Sequence, residues 1–152
     1  MNSPDLARLI HVGESITRRL RYSHDDIEKF ARLTLDDNPL HRDAAWARRA
    51  GFDDVIATGQ QTSAIMMGLM ASHFSRHDDG VRRELLSLNF NFAYKLPVKP
   101  DRELLLRWSV SSVAWNGKLG GMLAHLDGNA TQEGGSAPAV IGRGTILVKE
   151  LA

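Results

Sequence analysis

The spacing of apolar and polar residues divides the chain into a mixed, largely helical first half and a strand-rich second half. A short strand ends at Ser23, where an S-x-x-D signal with Asp26 marks the start of an amphipathic helix. That helix cannot extend beyond Asn38, because the ring of Pro39 excludes helical geometry from the residue before it. The pattern therefore predicts a strand, a helix and a sharp turn.

Beyond the turn, the pattern predicts a short helix over residues 43–51 and a longer one over residues 60–73. The longer helix is apolar nearly all round, which is typical of a helix buried in a core. Four strands follow, and the clearest is the alternating stretch 86–94, which predicts one buried face. Asn116-Gly117 predicts a hairpin with a type I′ turn between the second and third of these strands.

A single apolar helix must be covered by another layer, and an antiparallel sheet with one apolar face can supply that layer. This α+β combination, a curved antiparallel sheet wrapped around a buried central helix, looks like the hot-dog fold. A chain of 152 residues is the right size for one core. We therefore expect a single domain over residues 1–152.

Composition narrows the function classes. Nineteen basic and eighteen acidic residues give a net charge of +1 without long blocks of like charge, so nothing favours nucleic acid or a membrane surface as a partner. The absence of cysteine excludes disulfides, cysteine-ligated zinc and a thiol nucleophile. Asp5 and Arg8 interrupt the apolar stretch that a signal peptide would need. Because the apolar run 64–71 is far shorter than the ~20 residues of a membrane span, we expect a cytoplasmic protein.

The candidate chemistry lies in the turn before the apolar helix. Asp36 and His41 flank the proline, so their side chains can converge, and a carboxylate with an imidazole is a natural acid/base pair. Taken alone, this segment is better explained as an ordinary helix-ending turn with an exposed histidine. Gly59 begins the apolar helix, where unpaired amides and the helix dipole favour an oxygen with developing negative charge. The same glycine also fits a simple helix cap.

Several residues match one family motif both in residue type and in spacing. The matching segments are Phe30-Ala31, Asp36, Asn38-Pro39-Leu40-His41, Ala50-Gly51-Phe52 and Ile56-Ala57-x-Gly59. This pattern resembles the hydratase 2 motif of MaoC-like dehydratases and (R)-specific enoyl-CoA hydratases. The resemblance extends over residues 23–69, and residues 88–101 are similar to the strand and Pro-Val loop that follow in the family.

The resemblance implies a homodimer with paired sheets, and reversible hydration of trans-2-enoyl-CoA to (R)-3-hydroxyacyl-CoA. Asp36 and His41 would hold one water, delivering hydroxide to the β-carbon and a proton to the α-carbon. Gly59 would offer its amide to the thioester oxygen, and Asn38 would support the turn. The resemblance implies an acyl-CoA substrate and implies neither a metal nor a redox cofactor.

Three positions depart from the family pattern. Leu35 stands where a glycine commonly precedes the aspartate, and Thr58 stands where a histidine often precedes the oxyanion glycine. Met67 lies near the place of a small hydroxyl residue, although Thr62 and Ser63 precede it. These departures bear on substrate range more than on reaction type.

Two alternatives to a hydratase are open from the sequence. In a hot-dog thioesterase, the acidic residue would direct water at the thioester carbonyl instead of the β-carbon. In a non-catalytic acyl-CoA-binding or partner subunit, the changes at Leu35 and Thr58 would have removed the activity. The first would release free thiol, and the second would bind ligand without turnover.

Other polar and sulfur-containing residues have a structural and a functional interpretation. Met66, Met67 and Met70 fit a core but could also line an acyl tunnel. His73 and His77 have a spacing that suits a metal but lack a third ligand, so a solvated helix end explains them better. Four basic residues could contact CoA phosphates or simply face solvent: Arg82, Arg83, Lys95 and Lys99.

Overall fold

The computed structural model describes residues 6–152, which form one antiparallel sheet packed against a central helix. The strands are β1 Ser15–Leu20, β2 Arg83–Tyr94, β3 Leu104–Asn116, β4 Gly121–Gln132 and β5 Val140–Glu150. The α-helices that connect them are α1 His24–Leu33, α2 Ala44–Arg49 and α3 Gly59–Phe74. The strand order is β1-β3-β4-β5-β2, so β2 lies at one edge of the sheet. The predicted α+β arrangement is confirmed.

The central helix α3 presents one fully buried face to the sheet. Met66, Met70 and Phe74 have no exposed surface, and the indole of Trp108 donates a hydrogen bond of 2.7 Å to the Met66 carbonyl. The prediction of a helix buried all round is wrong for the opposite face, where Ala64 and other small residues are exposed. The sheet of a single chain covers only one side of the helix. No helix within residues 6–152 is long and apolar enough to cross a membrane.

Large aromatic rings on the sheet lie opposite glycines in the neighbouring strand. The pairs are Phe90 with Gly144, Phe92 with Gly142 and Trp108 with Gly128. A Cβ atom at any of these glycines would overlap the facing ring, so the glycines make room for the aromatic core. Tyr94 continues the row on β2 but lies opposite Val140 instead of a glycine.

The expected alternation along β2 is interrupted by a β-bulge between Ser87 and Asn89. Leu85 packs against the core before the bulge, whereas Phe90 packs against it afterwards. One extra residue reverses which side chains face the core. The prediction that Leu86 and Leu88 share a buried face with the phenylalanines is therefore wrong, and both leucines are exposed.

The hairpin between β3 and β4 forms where it was predicted, but its turn is longer than a type I′ turn. Asn116 pairs with Gly121, and the chain between them contains four residues. The Asn116 side chain accepts a hydrogen bond of 2.9 Å from the Leu119 amide. The left-handed residue is Gly120, with φ of 67°, and not Gly117. The asparagine thus stabilises the loop from inside the strand.

Arg83, considered above as a surface residue, is buried at the start of β2. Its guanidinium donates hydrogen bonds to both carboxylate oxygens of Asp79, at 2.9 and 2.7 Å. It also donates to four backbone carbonyls, those of Arg8, Leu9, Arg76 and Val81. This hydrogen bonding holds the pKa of the Asp79 carboxyl well below its usual range. Arg83 thereby joins the N-terminal segment to the loop after α3.

The C-terminal end of α3 is also held by ionic contacts. The buried carboxylate of Glu14 lies 2.7 Å from His73 Nε2 and 3.0 Å from Arg76 Nη1. His73 is therefore hydrogen-bonded to Glu14 and only partly exposed, whereas His77 is exposed as predicted. Within residues 6–152, no cluster of three or more histidine and acidic residues could hold a metal ion.

Candidate active site

Helix α1 ends in a turn that sets the position of Asp36. The Leu35 amide bonds to the Arg32 carbonyl at 3.2 Å, and the Asp36 amide bonds to the Ala31 carbonyl at 2.8 Å. This hydrogen-bond pair is a Schellman motif, whose left-handed residue is usually glycine. Leu35 occupies that position with φ of 61° and a side chain that is 91% exposed. The glycine-like backbone is thus adopted by a leucine, at a steric cost of about 1–2 kcal/mol.

The turn that follows is stabilised by its own side chains. Asp36 Oδ1 accepts a hydrogen bond of 3.0 Å from the Asn38 amide, and Asn38 Oδ1 accepts one of 3.1 Å from the Leu40 amide. Pro39 begins a short 3₁₀ turn that ends at His41. The predicted proline-stiffened turn is confirmed, and both the amide and the side chain of Asn38 form hydrogen bonds within it.

His41 is 7% exposed and its ring orientation is fixed. Its Nδ1 atom lies 2.6 Å from the carbonyl oxygen of Ile56. Because a carbonyl can only accept, Nδ1 carries the hydrogen, and Nε2 is left free to take up a proton. This Nε2 lies 3.4 Å from Asp36 Oδ2. The imidazole and the carboxylate therefore face each other, as their spacing predicted.

Gly59 is the first residue of α3, and its amide donates no hydrogen bond within residues 6–152. The preceding Thr58 is buried and caps the helix by accepting a hydrogen bond of 3.1 Å from the Gln61 amide. A Cβ atom at Gly59 would lie 2.8 Å from two ring carbons of Tyr94. The glycine is thus required by a close ring contact, and its amide remains available to a ligand.

Two neighbouring cavities meet at this turn. The larger, of about 460 Å³, is lined by Asn38, His41 and Gly59, and the smaller, of about 170 Å³, by Asp36, Asn38 and His41. His41 and Asn38 are shared, whereas Asp36 and Gly59 each line only one. The sequence suggested that Asp36, His41 and Gly59 surround one space. In the single chain, these three residues line two cavities, and the imidazole of His41 forms part of the boundary between them.

The larger cavity has mostly apolar walls. Besides the residues at the turn, its apolar lining includes Phe52, Ile56, Leu96, Val98 and Val140, and Lys95 also lines it. None of the methionines of α3 lines either of the two cavities, so the suggested methionine tunnel is not seen. The volume lies within the ~300–1,000 Å³ typical of small-molecule sites.

Sequence reasoning missed the role of Tyr94 in this region, and it named Ser63 without a contact. Tyr94 lines the larger cavity, and its hydroxyl lies 3.0 Å from the hydroxyl of Ser63. Ser63 follows Gly59 by one helical turn, and it supplies a hydroxyl near the cavity although Met67 occupies the place expected from the resemblance. The spacing of Gly59 and Ser63 on α3 was the available signal, but nothing local indicated that Tyr94 would meet both.

Comparisons with known proteins agree with this architecture. The family model described as a MaoC-like domain matches residues 10–119, more than two-thirds of the chain. A mitochondrial 3-hydroxyacyl-acyl-carrier-protein dehydratase of Solanum lycopersicum is 32% identical over 68 residues, which cover 45% of the chain and 41% of that protein. An (R)-specific enoyl-CoA hydratase of Aeromonas caviae is 25% identical over 107 residues, covering 70% of the chain and 75% of that protein.

The solved structure of an (R)-hydratase from A. caviae involved in PHA biosynthesis has a TM-score of 0.77 and 25% identity. The alignment covers 90% of this chain and 96% of that one. The match to the plant dehydratase, by contrast, spans only about two-fifths of that protein's length. The extent of the family match and the agreement of the folds lead to one conclusion: the chain is a hot-dog domain that belongs to the MaoC-like family.

Proposed function

We propose that the chain catalyses the reversible, (R)-specific hydration of trans-2-enoyl-CoA to (R)-3-hydroxyacyl-CoA. The observation that carries the proposal is the orientation of His41. Its Nδ1 is tied to the Ile56 carbonyl, so the free Nε2 faces the Asp36 carboxylate at 3.4 Å. The named activity of the A. caviae relative supports the same reaction class.

In this mechanism, Asp36 and His41 hold one water molecule. The water donates its two hydrogens to the carboxylate and to Nε2, which leaves an oxygen lone pair free to attack the β-carbon. The hydroxyl adds there, and the proton retained by the pair is passed to the α-carbon, so one water is consumed. Such positioned acid/base groups contribute roughly 10²–10⁴ in rate.

The Gly59 amide would stabilise the thioester oxygen as it becomes enolate-like. Loss of one such donor typically lowers the rate by about 10²–10³-fold. The thioester would lie in the larger cavity against Gly59, while the water would lie on the Asp36 side of His41. The reacting carbons would then sit where the two cavities meet, beside the imidazole that lines both.

We also propose that the protein acts as a homodimer on acyl-CoA. Within residues 6–152, strand β2 pairs only with β5, and no other strand of that range pairs with the opposite edge of its 12 residues. Leu86 and Leu88 are exposed on this strand, and small residues are exposed on α3. An open edge with apolar side chains is a common site of strand pairing, and a second copy would cover it.

The reaction is tested by mixing the protein with crotonyl-CoA and following ultraviolet absorbance of the enoyl group and free thiol in parallel. The proposal predicts loss of the enoyl band without thiol release, and a product that chiral chromatography identifies as the (R)-3-hydroxy thioester. Thiol release at the same rate would instead indicate a thioesterase. Calorimetric binding of crotonyl-CoA with no turnover would indicate a non-catalytic subunit.

A further inference from the structure

Two tyrosines bind adjacent hydroxyl residues near the start of α3, from different elements. Tyr94 at the end of β2 binds Ser63, and Tyr22 after β1 binds Thr62, each with an oxygen–oxygen distance of 3.0 Å. Tyr22 is 3% exposed, and burial raises the pKa of its phenol to about 12. Tyr94 is 52% exposed and lines the larger cavity. The Tyr22–Thr62 bond thus lies in the core, whereas the Tyr94–Ser63 bond lies beside the larger cavity.

The Tyr94 ring is fixed across the first turn of α3. Its Cδ1 and Cε1 atoms reach the place where a Gly59 side chain would begin. Ser63 Oγ lies 3.0 Å from the Tyr94 hydroxyl and 3.2 Å from the Gln60 carbonyl, and either hydroxyl can be the donor in the Tyr94–Ser63 bond. The ring is therefore anchored at both its face and its hydroxyl.

The Tyr94 ring lines the larger cavity beside the first turn of α3. Gly59, Ser63 and Met67 recur every four residues and therefore lie on one stripe of α3. The cavity includes Gly59 at the start of that stripe, but Met67, two turns further on, does not line it. Tyr94 contacts Gly59 and Ser63, the two residues that precede Met67 on the stripe. An acyl chain that enters past Gly59 therefore meets the ring before it can follow the helix inward.

We infer that Tyr94, held in place by Ser63, sets the length of the acyl chain that the site accepts and restricts it to short enoyl thioesters. The inference rests on the proposed function for the identity of the substrate. Removing the ring opens the stripe toward Met67. Each additional methylene that becomes buried improves binding about fourfold, so two or more methylenes correspond to about tenfold or greater.

The test compares kcat/KM for crotonyl-, hexenoyl- and octenoyl-CoA. The wild type is expected to prefer crotonyl-CoA, and Tyr94→Ala to raise the octenoyl-to-crotonyl ratio about tenfold or more. Tyr94→Phe and Ser63→Ala each free the ring and are expected to raise the ratio by roughly twofold to threefold. Because they remove the same bond, the double variant should show no further increase.

The matched control is Tyr22→Phe, which removes the corresponding bond to Thr62 away from the cavity and should leave the ratio unchanged. An unchanged ratio in Tyr94→Ala, or a wild type that already prefers octenoyl-CoA, would overturn the inference. If Tyr94→Ala does not fold, as judged by circular dichroism, Tyr94→Phe and Ser63→Ala decide the question.

A failure of this inference can be distinguished from a failure of the proposed function. If the wild type turns over none of these enoyl-CoAs, the hydratase proposal fails. Calorimetric affinities for butyryl-CoA and octanoyl-CoA then provide the length test without catalysis. The inference predicts that Tyr94→Ala shifts the affinity ratio toward octanoyl-CoA by about tenfold, and an unshifted ratio would contradict it.

Discussion

The two ends of α3 differ in whether the polar groups beside them have partners. At the Phe74 end, Glu14 is buried but paired with His73 and Arg76, and Arg83 donates every hydrogen bond that its buried position requires. At the Gly59 end, the first amide has no partner within residues 6–152 and opens onto a cavity. The polar groups at the Phe74 end are thus paired within the chain, whereas the Gly59 end keeps a donor that the proposed mechanism would use.

At each end of α3, the helix dipole favours the group that lies there or is proposed to bind there. The negative C-terminal end has the guanidinium of Arg76 beside it, which donates a hydrogen bond to the His73 carbonyl. The positive N-terminal end points to where the thioester oxygen is proposed to bind. If this division is correct, substitutions at the far end should change the free energy of unfolding, and substitutions at the cavity end should change turnover.

The largest effect on stability is expected from Arg83→Met. The change leaves four backbone carbonyls and the Asp79 carboxylate without their donor, so the free energy of unfolding in urea should fall by about 3 kcal/mol. Arg83 and Tyr94 occupy opposite ends of β2, roughly 36 Å apart along the strand. The activity of the folded fraction should therefore stay within about twofold of the wild type.

The matched control for this prediction is Arg82→Met, because Arg82 is the exposed neighbour of Arg83. Its effect on the free energy of unfolding should be within about 0.5 kcal/mol. A loss of activity without a loss of stability in Arg83→Met would contradict the division between the two ends.

A smaller effect is expected from Leu35→Gly. Glycine adopts the left-handed conformation without steric strain but has a larger entropy loss on folding, so the net gain in unfolding free energy should be about 1 kcal/mol. Turnover should change little, because Asp36 keeps the same turn. The midpoint of urea unfolding at constant m-value measures the gain. A less stable variant would mean that the exposed leucine side chain has a stabilising role.

Much of the site was predictable because it depends on local sequence. The capping box at Ser23, the turn before Pro39 and the approach of His41 to Asp36 all follow from residues within a few positions of one another. Propensity and proline sterics determine such contacts before any tertiary packing is considered.

The contacts that were missed depend on residues far apart in sequence. The bulge after Ser87 turns Leu86 and Leu88 away from the core, and no local sequence pattern predicts this bulge. Tyr94 meets Ser63, 31 positions earlier, only because the register of β2 places it beyond the last ring–glycine pair. Burial of Arg83 likewise requires carbonyls from distant segments of the chain. Sheet register and distant packing, not composition, decide these features.

The proposed mechanism requires the carboxylate facing His41 to activate water, and two adjacent aspartates allow a direct test. The Asp36 side chain is 28% exposed and lies 3.4 Å from His41 Nε2, whereas that of Asp37 is fully exposed. This mechanism predicts that Asp36→Asn lowers kcat/KM for crotonyl-CoA hydration by about 10³-fold, while Asp37→Asn stays within about twofold of the wild type. Equal rates for the two folded variants would contradict it.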